Sequence, residues 1–216
     1  FVVMSVCGFL LIRRDSKQPF PLFPIDLLRI PIFRLSILTS IFSFMAQMLA
    51  MVSFPFFLQR VRDKSDVATG LLLTPWPLTT MIFAPIAGML TGRKIQAAYL
   101  GAIGLTLFAA GLVLLATLPA HPSDMEIVWR MALCGCGFGL FQTPNNSTII
   151  GSAPENRSGG ASGMLGTARL LGQTSGAALV ALMFNVFPGH STRASLWLAC
   201  GFALMGAVVS LLRVSR

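Results

Sequence analysis

The sequence predicts an all-α membrane protein, and three observations carry the prediction. Of its 216 residues, 55% are hydrophobic and 11% are charged, and the mean hydropathy of +0.77 lies outside the habits of soluble domains. The charged residues gather in short stretches between apolar runs. Each run is about long enough to cross a hydrocarbon layer ~30 Å thick at roughly 1.5 Å per residue.

The elements follow in chain order. Phe1–Ile12 is apolar but too short to span, has no basic region before it, and runs into Arg13-Arg14. It therefore does not read as a signal peptide. It reads as the end of an auxiliary transmembrane helix, and the chain as a fragment of a longer protein. Residues 13–34 form an amphipathic linker on the cytoplasmic side. A six-transmembrane-helix bundle then occupies residues 35–216, with spans at about 35–57, 68–90, 97–118, 127–150, 161–187 and 195–212. Pro55 in the first span and Pro75, Pro77 and Pro85 in the second each remove a backbone bond and permit bending.

Charge sets the expected orientation, because cytoplasmic loops hold the excess of Lys and Arg. If the stretch after Ile12 is inside, the inside set is Arg13, Arg14, Lys17, Arg29, Arg93, Lys94, Arg157, Arg213 and Arg216. The outside set is Arg60, Arg62, Lys64 and Arg193. This places the C-terminus in the cytoplasm, and the net charge of +9 is mostly a topology signal. Nucleic acid is not an expected partner, since its basic residues would share one folded face. Cys7, Cys134, Cys136 and Cys200 lie in apolar runs without metal-site spacing, so no metal and no cofactor are expected. All seven acids (Asp15, Asp26, Asp63, Asp66, Asp124, Glu126 and Glu155) fall in loops or at span ends. An enzyme would need a nucleophile, metal ligands or paired acids inside the bundle, and the spans offer none.

Helix interfaces come next. In lipid, close packing relies on small residues at four-residue spacing. Gly135/Gly139 in the fourth span, Gly159/Gly163 at the start of the fifth and Gly172/Gly176 within it have that spacing. The fourth span also carries Gln142, Asn145 and Asn146 around Pro144. Gln142 and Asn146 stack on one face, and Asn145 is turned about 100° off it. Either Gln142 and Asn146 face a water-filled cavity whose mouth Pro144 shapes, or the amides bridge neighbouring helices.

In the first span, Phe44, Gln47, Met51 and Phe54 fall along one stripe at helical spacing. Polarizable Met and aromatic rings around an amide suit flat lipophilic cations; the alternative is that they face lipid or other helices. Trp76, between Pro75 and Pro77, either lines the outer part of the path or anchors its helix at the interface. Arg169 stands about two turns into the fifth span, where a charge costs roughly 2.5–3.5 kcal/mol. It either snorkels to the inner interface or meets a carboxylate or carbonyls from outside this chain. Arg130 is expected at the outer interface.

The segments "LFPIDLLRIPIFRLSILTSIF" and "CGCGFGLFQTPNNSTIIGSAPENRSGGASGMLGTARLLGQTSGAAL" resemble the C-terminal half of fourteen-span multidrug/proton antiporters of the major facilitator superfamily. A glycine-rich helix, Pro-Asn, Pro-x-x-Arg, Ala-Ser-Gly and Leu-Gly-x-x-x-Gly occur in that order, and methyl viologen and quaternary ammonium exporters of bacteria are similar. Departures accompany the match. In "GMLTGRKIQ", Gly92 stands where the loop motif has Asp; Met131 and Cys134 occupy the Arg and Gln positions of the Arg-x-x-Gln-Gly motif; Ala177 follows Gly176 where the antiporter signature has Pro. The resemblance implies a bacterial inner-membrane, multi-pass, proton-coupled multidrug exporter working by alternating access. Its partners would be small lipophilic cations, protons bound in the other half, and the bilayer. A metabolite transporter, or a receptor or enzyme subunit, is the alternative.

Overall fold

The computed structural model describes residues 25–91, 95–119 and 121–214. The expected auxiliary helix at 1–12, most of the linker and the Arg93-Lys94 pair lie outside the described residues. The described chain is helical and contains no strand. A 3-10 turn, Ile25–Arg29, leads into α1, Pro31–Arg60, which begins on a proline whose missing N–H is no loss in the first turn. The second apolar run splits into α2, Asp66–Leu73, and α3, Pro75–Leu90. Ser65 caps α2 by accepting from the Ala68 N–H at 3.3 Å, and Pro75, which cannot donate, marks the break at Thr74.

The remaining helices are α4, Ala97–Ala116; α5, Asp124–Gly151; α6, Ser158–Val186; and α7, Ser191–Leu211. A capping box starts α5: Ser123 Oγ accepts from the Glu126 N–H at 3.3 Å, and the Ser123 N–H donates to Glu126 Oε2 at 2.8 Å. Pro55, Pro85 and Pro144 sit inside continuous helices. Four segments are long and apolar enough to cross a membrane: α1, α2 with α3, α4 and α7. The expectation of six spans also includes α5 and α6. Their 28 and 29 residues give ample length, but glycine, hydroxyl and amide side chains dilute their apolar content.

Successive segments run antiparallel, and polar contacts tie the loops at both ends. At one end Arg157 Nη2 pairs with Asp26 Oδ1 at 3.0 Å. At the other, Lys64 pairs with Asp124 at 2.8 Å, and Arg62 reaches His121 Nδ1 at 2.9 Å and donates to the Pro122 carbonyl at 3.0 Å. Laterally, α3 packs on α5, α5 on α4, α4 on α7, α7 on α1 and α1 on α6.

Three of these contacts are made at backbone distance, among them α4 on α5, where a Cβ on Gly104 would lie 2.7 Å from the Gly137 carbonyl oxygen. A Cβ placed on Gly172 would lie 2.6 Å from the Ile41 carbonyl oxygen, and one on Gly176 would lie 2.8 Å from that of Met45. A Cβ on Gly139 would come 2.9 Å from the Thr80 carbonyl oxygen, and one on Gly135 would collide with the Trp76 carbonyl and Thr79 Oγ1. Only a missing side chain admits such neighbours. Hydroxyls stitch the α3–α5 seam: Thr79 Oγ1 donates to the Ala132 carbonyl and Thr80 Oγ1 to that of Gly135, both at 3.0 Å. Gly159 and Gly163, by contrast, meet nothing within 4 Å, so their four-residue spacing makes no helix contact among the described residues.

This difference is measurable. Gly172→Ala should cost about 1–3 kcal/mol through overpacking against backbone that cannot yield cheaply. Gly163→Ala should be neutral or stabilising by up to ~1 kcal/mol, because alanine favours helix. Thermal unfolding of detergent-purified variants checks both.

Candidate functional site: a mid-bundle cleft

Helices α1, α3, α5 and α6 enclose a cleft of about 270 Å³. From α1 come Phe44, Gln47 and Met51; from α3, Trp76, Pro77, Thr80 and Met81. Phe138 and Gln142 of α5 and Arg169 of α6 complete the lining. Helices α4 and α7 supply no lining residue and stand behind, with Phe108 of α4 backing the aromatic side chains. Phe44, Gln47 and Met51 meet because positions i, i+3 and i+7 share a helix face.

The glycine seams set the walls. Gly172 brings α6 so close to α1 that a Cβ added there would be 2.9 Å from Phe44 Cβ. Arg169, one turn earlier, then lies over the Phe44 ring with its guanidinium carbon 5.3 Å from the centroid. The aromatic wall is a chain of edge-to-face contacts: Phe44 to Phe138 at 5.6 Å, Phe138 to Phe108 at 5.6 Å, and Phe108 to Trp76 at 5.3 Å.

Polar groups in the cleft are short of partners. Gln47 and Gln142 make no hydrogen bond with described residues, and Arg169 has the Phe44 ring as its one described contact. The Trp76 indole N–H is buried without an acceptor. Thr80 has given its proton to main-chain carbonyls. No carboxylate stands among the lining residues.

The neighbouring amide does something different. Asn145 is wholly buried; its Nδ2 donates to Ser40 Oγ at 2.8 Å and to the Ser36 carbonyl at 3.3 Å. Its Oδ1 accepts from Arg213 Nη1 at 2.8 Å. Arg213, just past the end of α7 and only 6% exposed, also donates from Nη1 to Ser36 Oγ at 2.9 Å and from Nη2 to Ser210 Oγ. Ser210 Oγ in turn donates to the Ala98 carbonyl at 2.9 Å. Burial pulls the Arg213 guanidinium down to about 10, so it remains a cation at neutral pH. Neutral oxygens from α1, α5 and α7 thus hold a buried charge. Sequence reasoning assigned Arg213 only to the loop-charge count; serines at 36, 40 and 210 were the signal, a polar stripe on otherwise apolar helices.

Other residues lie apart from the cleft. Phe54 is buried and lines a separate cavity of about 620 Å³ near the His190 loop. It is about 15 Å along the helix from Phe44, outside the lining of the cleft. Asn146 is half-buried and not in the lining. Trp76 is buried, at 2% exposure. Arg130 pairs with Glu126 at 3.7 Å and lies over Trp129 at 5.0 Å.

A helical bundle with apolar helices long enough to cross a membrane and a polar cleft halfway along them has the build of a multi-pass membrane transporter. Residues 2–177 match the family model described as Major Facilitator Superfamily, and the chain belongs to that family of transporters. It is 62% identical over its whole length to the "Uncharacterized transporter YebQ" of Escherichia coli K12, covering 47% of that protein. It is 29% identical to the "Multidrug efflux pump LfrA" of Mycolicibacterium smegmatis over 87% of the chain and 37% of the pump. It is 32% identical to the "Multidrug resistance protein Stp" of Mycobacterium tuberculosis over 78% of the chain and 30% of that protein. The chain therefore spans half or less of the length of these relatives.

The two amide positions separate in a mutational test. Asn145→Ala takes one acceptor from the buried Arg213 and should cost about 1.5–3 kcal/mol, the worth of a hydrogen bond to a charged group. Gln142→Ala breaks no hydrogen bond with the described residues and should leave stability nearly unchanged. Thermal unfolding of the two variants reads the difference directly.

Proposed function

We propose that the chain is the C-terminal six-span half of a proton-coupled exporter of lipophilic small molecules, working by alternating access, with the cleft as this half's share of the substrate site. The observation that carries the reading is the cleft itself: four helices enclose unpaired amides and a cation between aromatic and methionine side chains, midway along apolar helices. Drug-export names among the relatives support the substrate class. Helices α5 and α6 count as the fourth and fifth spans, because their 28 and 29 residues are long enough to cross and Gln142, Arg169 and Asn145 face the cleft or the Arg213 cluster.

Proton coupling falls to the part of the transporter outside this chain. The acids among the described residues lie in loops, in 3-10 turns or in first helical turns, and a coupling site needs a titratable group in the pathway. The basic loops support an orientation with Arg157 and Arg213 in the cytoplasm of a bacterial inner membrane. Lipophilic cations suit the Met51–Met81 end of the cleft. At the Phe44 end Arg169 opposes them: unit charges about 5 Å apart repel by about 3 kcal/mol at an effective dielectric of about 20.

Everted membrane vesicles holding the full-length protein should accumulate a lipophilic dye when the interior is acid, and lose it when nigericin collapses the gradient. Vesicles holding residues 1–216 alone should show no gradient-dependent uptake. Uptake by the full-length protein that ignores the gradient would contradict proton coupling, and gradient-dependent uptake by residues 1–216 alone would contradict its assignment to the other half.

A further inference from the structure

We propose that the cleft selects planar aromatic molecules bearing anionic or hydrogen-bond-accepting oxygen over lipophilic cations, with Arg169 as the residue that binds that oxygen. The proposal rests on the reading of the cleft as a substrate site.

The charge balance of the lining argues for it. Arg169 brings five N–H donors and a permanent charge, and no described carboxylate or carbonyl takes them up. Its guanidinium already covers the Phe44 face, so a substrate cation cannot use that ring without meeting a like charge. A carboxylate or phenolate placed there gains what the cation loses, and guanidinium is suited to planar, two-pronged oxygen acceptors.

The remaining polar groups add donors. Gln47 and Gln142 each offer an unengaged NH₂ beside one carbonyl, and the Trp76 N–H in the wall is unpaired. Side-chain oxygen acceptors in the lining are confined to the two amides and Thr80. A buried donor left without an acceptor is costly, so a ligand that supplies oxygen is favoured over one that supplies only carbon and positive charge. The walls favour flat rings, since the aromatic side chains of Phe44, Phe138 and Trp76 border one narrow space.

Two dyes with the same three-ring xanthene core test this: fluorescein, which is anionic, and rhodamine 6G, which is cationic. Fluorescence anisotropy with the purified full-length transporter should give fluorescein the tighter binding. R169Q should weaken fluorescein by about tenfold or more, as expected for a charge-assisted contact, without weakening rhodamine 6G. R169K should retain most of the preference. Tighter binding of rhodamine 6G by the unaltered protein overturns the proposal, as does binding of neither dye. So does an R169Q variant that loses thermal stability and shifts neither dye, the behaviour of an arginine paired elsewhere in the full-length protein. Charge-selective binding without gradient-driven export would leave this inference standing and remove the export function; export of rhodamine 6G but not fluorescein would do the reverse.

Discussion

Hydrocarbon offers helices no hydrophobic reason to associate, so what brings them to backbone distance is the absence of side chains. Glycines at three seams supply that absence: Gly104 and Gly137 bring α4 to α5, and two further pairs border the cleft. Gly172 and Gly176 lay α6 against the carbonyls of Ile41 and Met45, and Gly135 and Gly139 lay α5 against those of Trp76 and Thr80. The cleft follows from these contacts. The α1–α6 seam sets Arg169 across from Phe44, and the α3–α5 seam sets Trp76 and Thr80 beside Phe138 and Gln142. A side chain at either seam would push the walls apart before altering any residue that lines the cleft.

Two arginines show how differently one group is used in such a bundle. Arg213 is enclosed by Asn145 and the serines of α1 and α7, which repay its desolvation with hydrogen bonds. It binds three helices together at one end. Arg169 has no such shell; it rests on an aromatic face and remains exposed. The first is a structural pin and the second is placed to act on whatever enters the cleft.

Much of this was legible in the sequence. The apolar runs gave the helices, and four-residue glycine spacing gave the two seams beside the cleft but not the Gly104–Gly137 approach of α4 and α5. Helical spacing put Phe44, Gln47 and Met51 on one face, and the structure brings Trp76, Gln142 and Arg169 to that same face. What failed did so for physical reasons. Spacing alone does not say whether a neighbour is present, and Gly159 and Gly163 meet open space. Phe54 continues the stripe, but it lies about 10 Å further along the helix than Gln47 and so beyond the lining of the cleft. Arg213 was unreadable because its partners come from residues far apart in sequence, and a basic residue at a helix end reads first as a loop charge.

The central claim is that α1 and α6 touch at their backbones and so fix the cleft. Disulfide formation between Met48→Cys and Gly176→Cys, followed by mass spectrometry of the oxidised full-length protein in membranes, tests it most directly. A Cβ at Gly176 would lie 2.9 Å from Met48 Cβ, so a slight separation reaches the usual disulfide spacing of about 3.5–4.5 Å. Backbone contact predicts rapid, near-complete cross-linking under mild oxidation, with none for a Met48→Cys/Gly163→Cys control. A pair that stays reduced, or a control that cross-links as well, would contradict it.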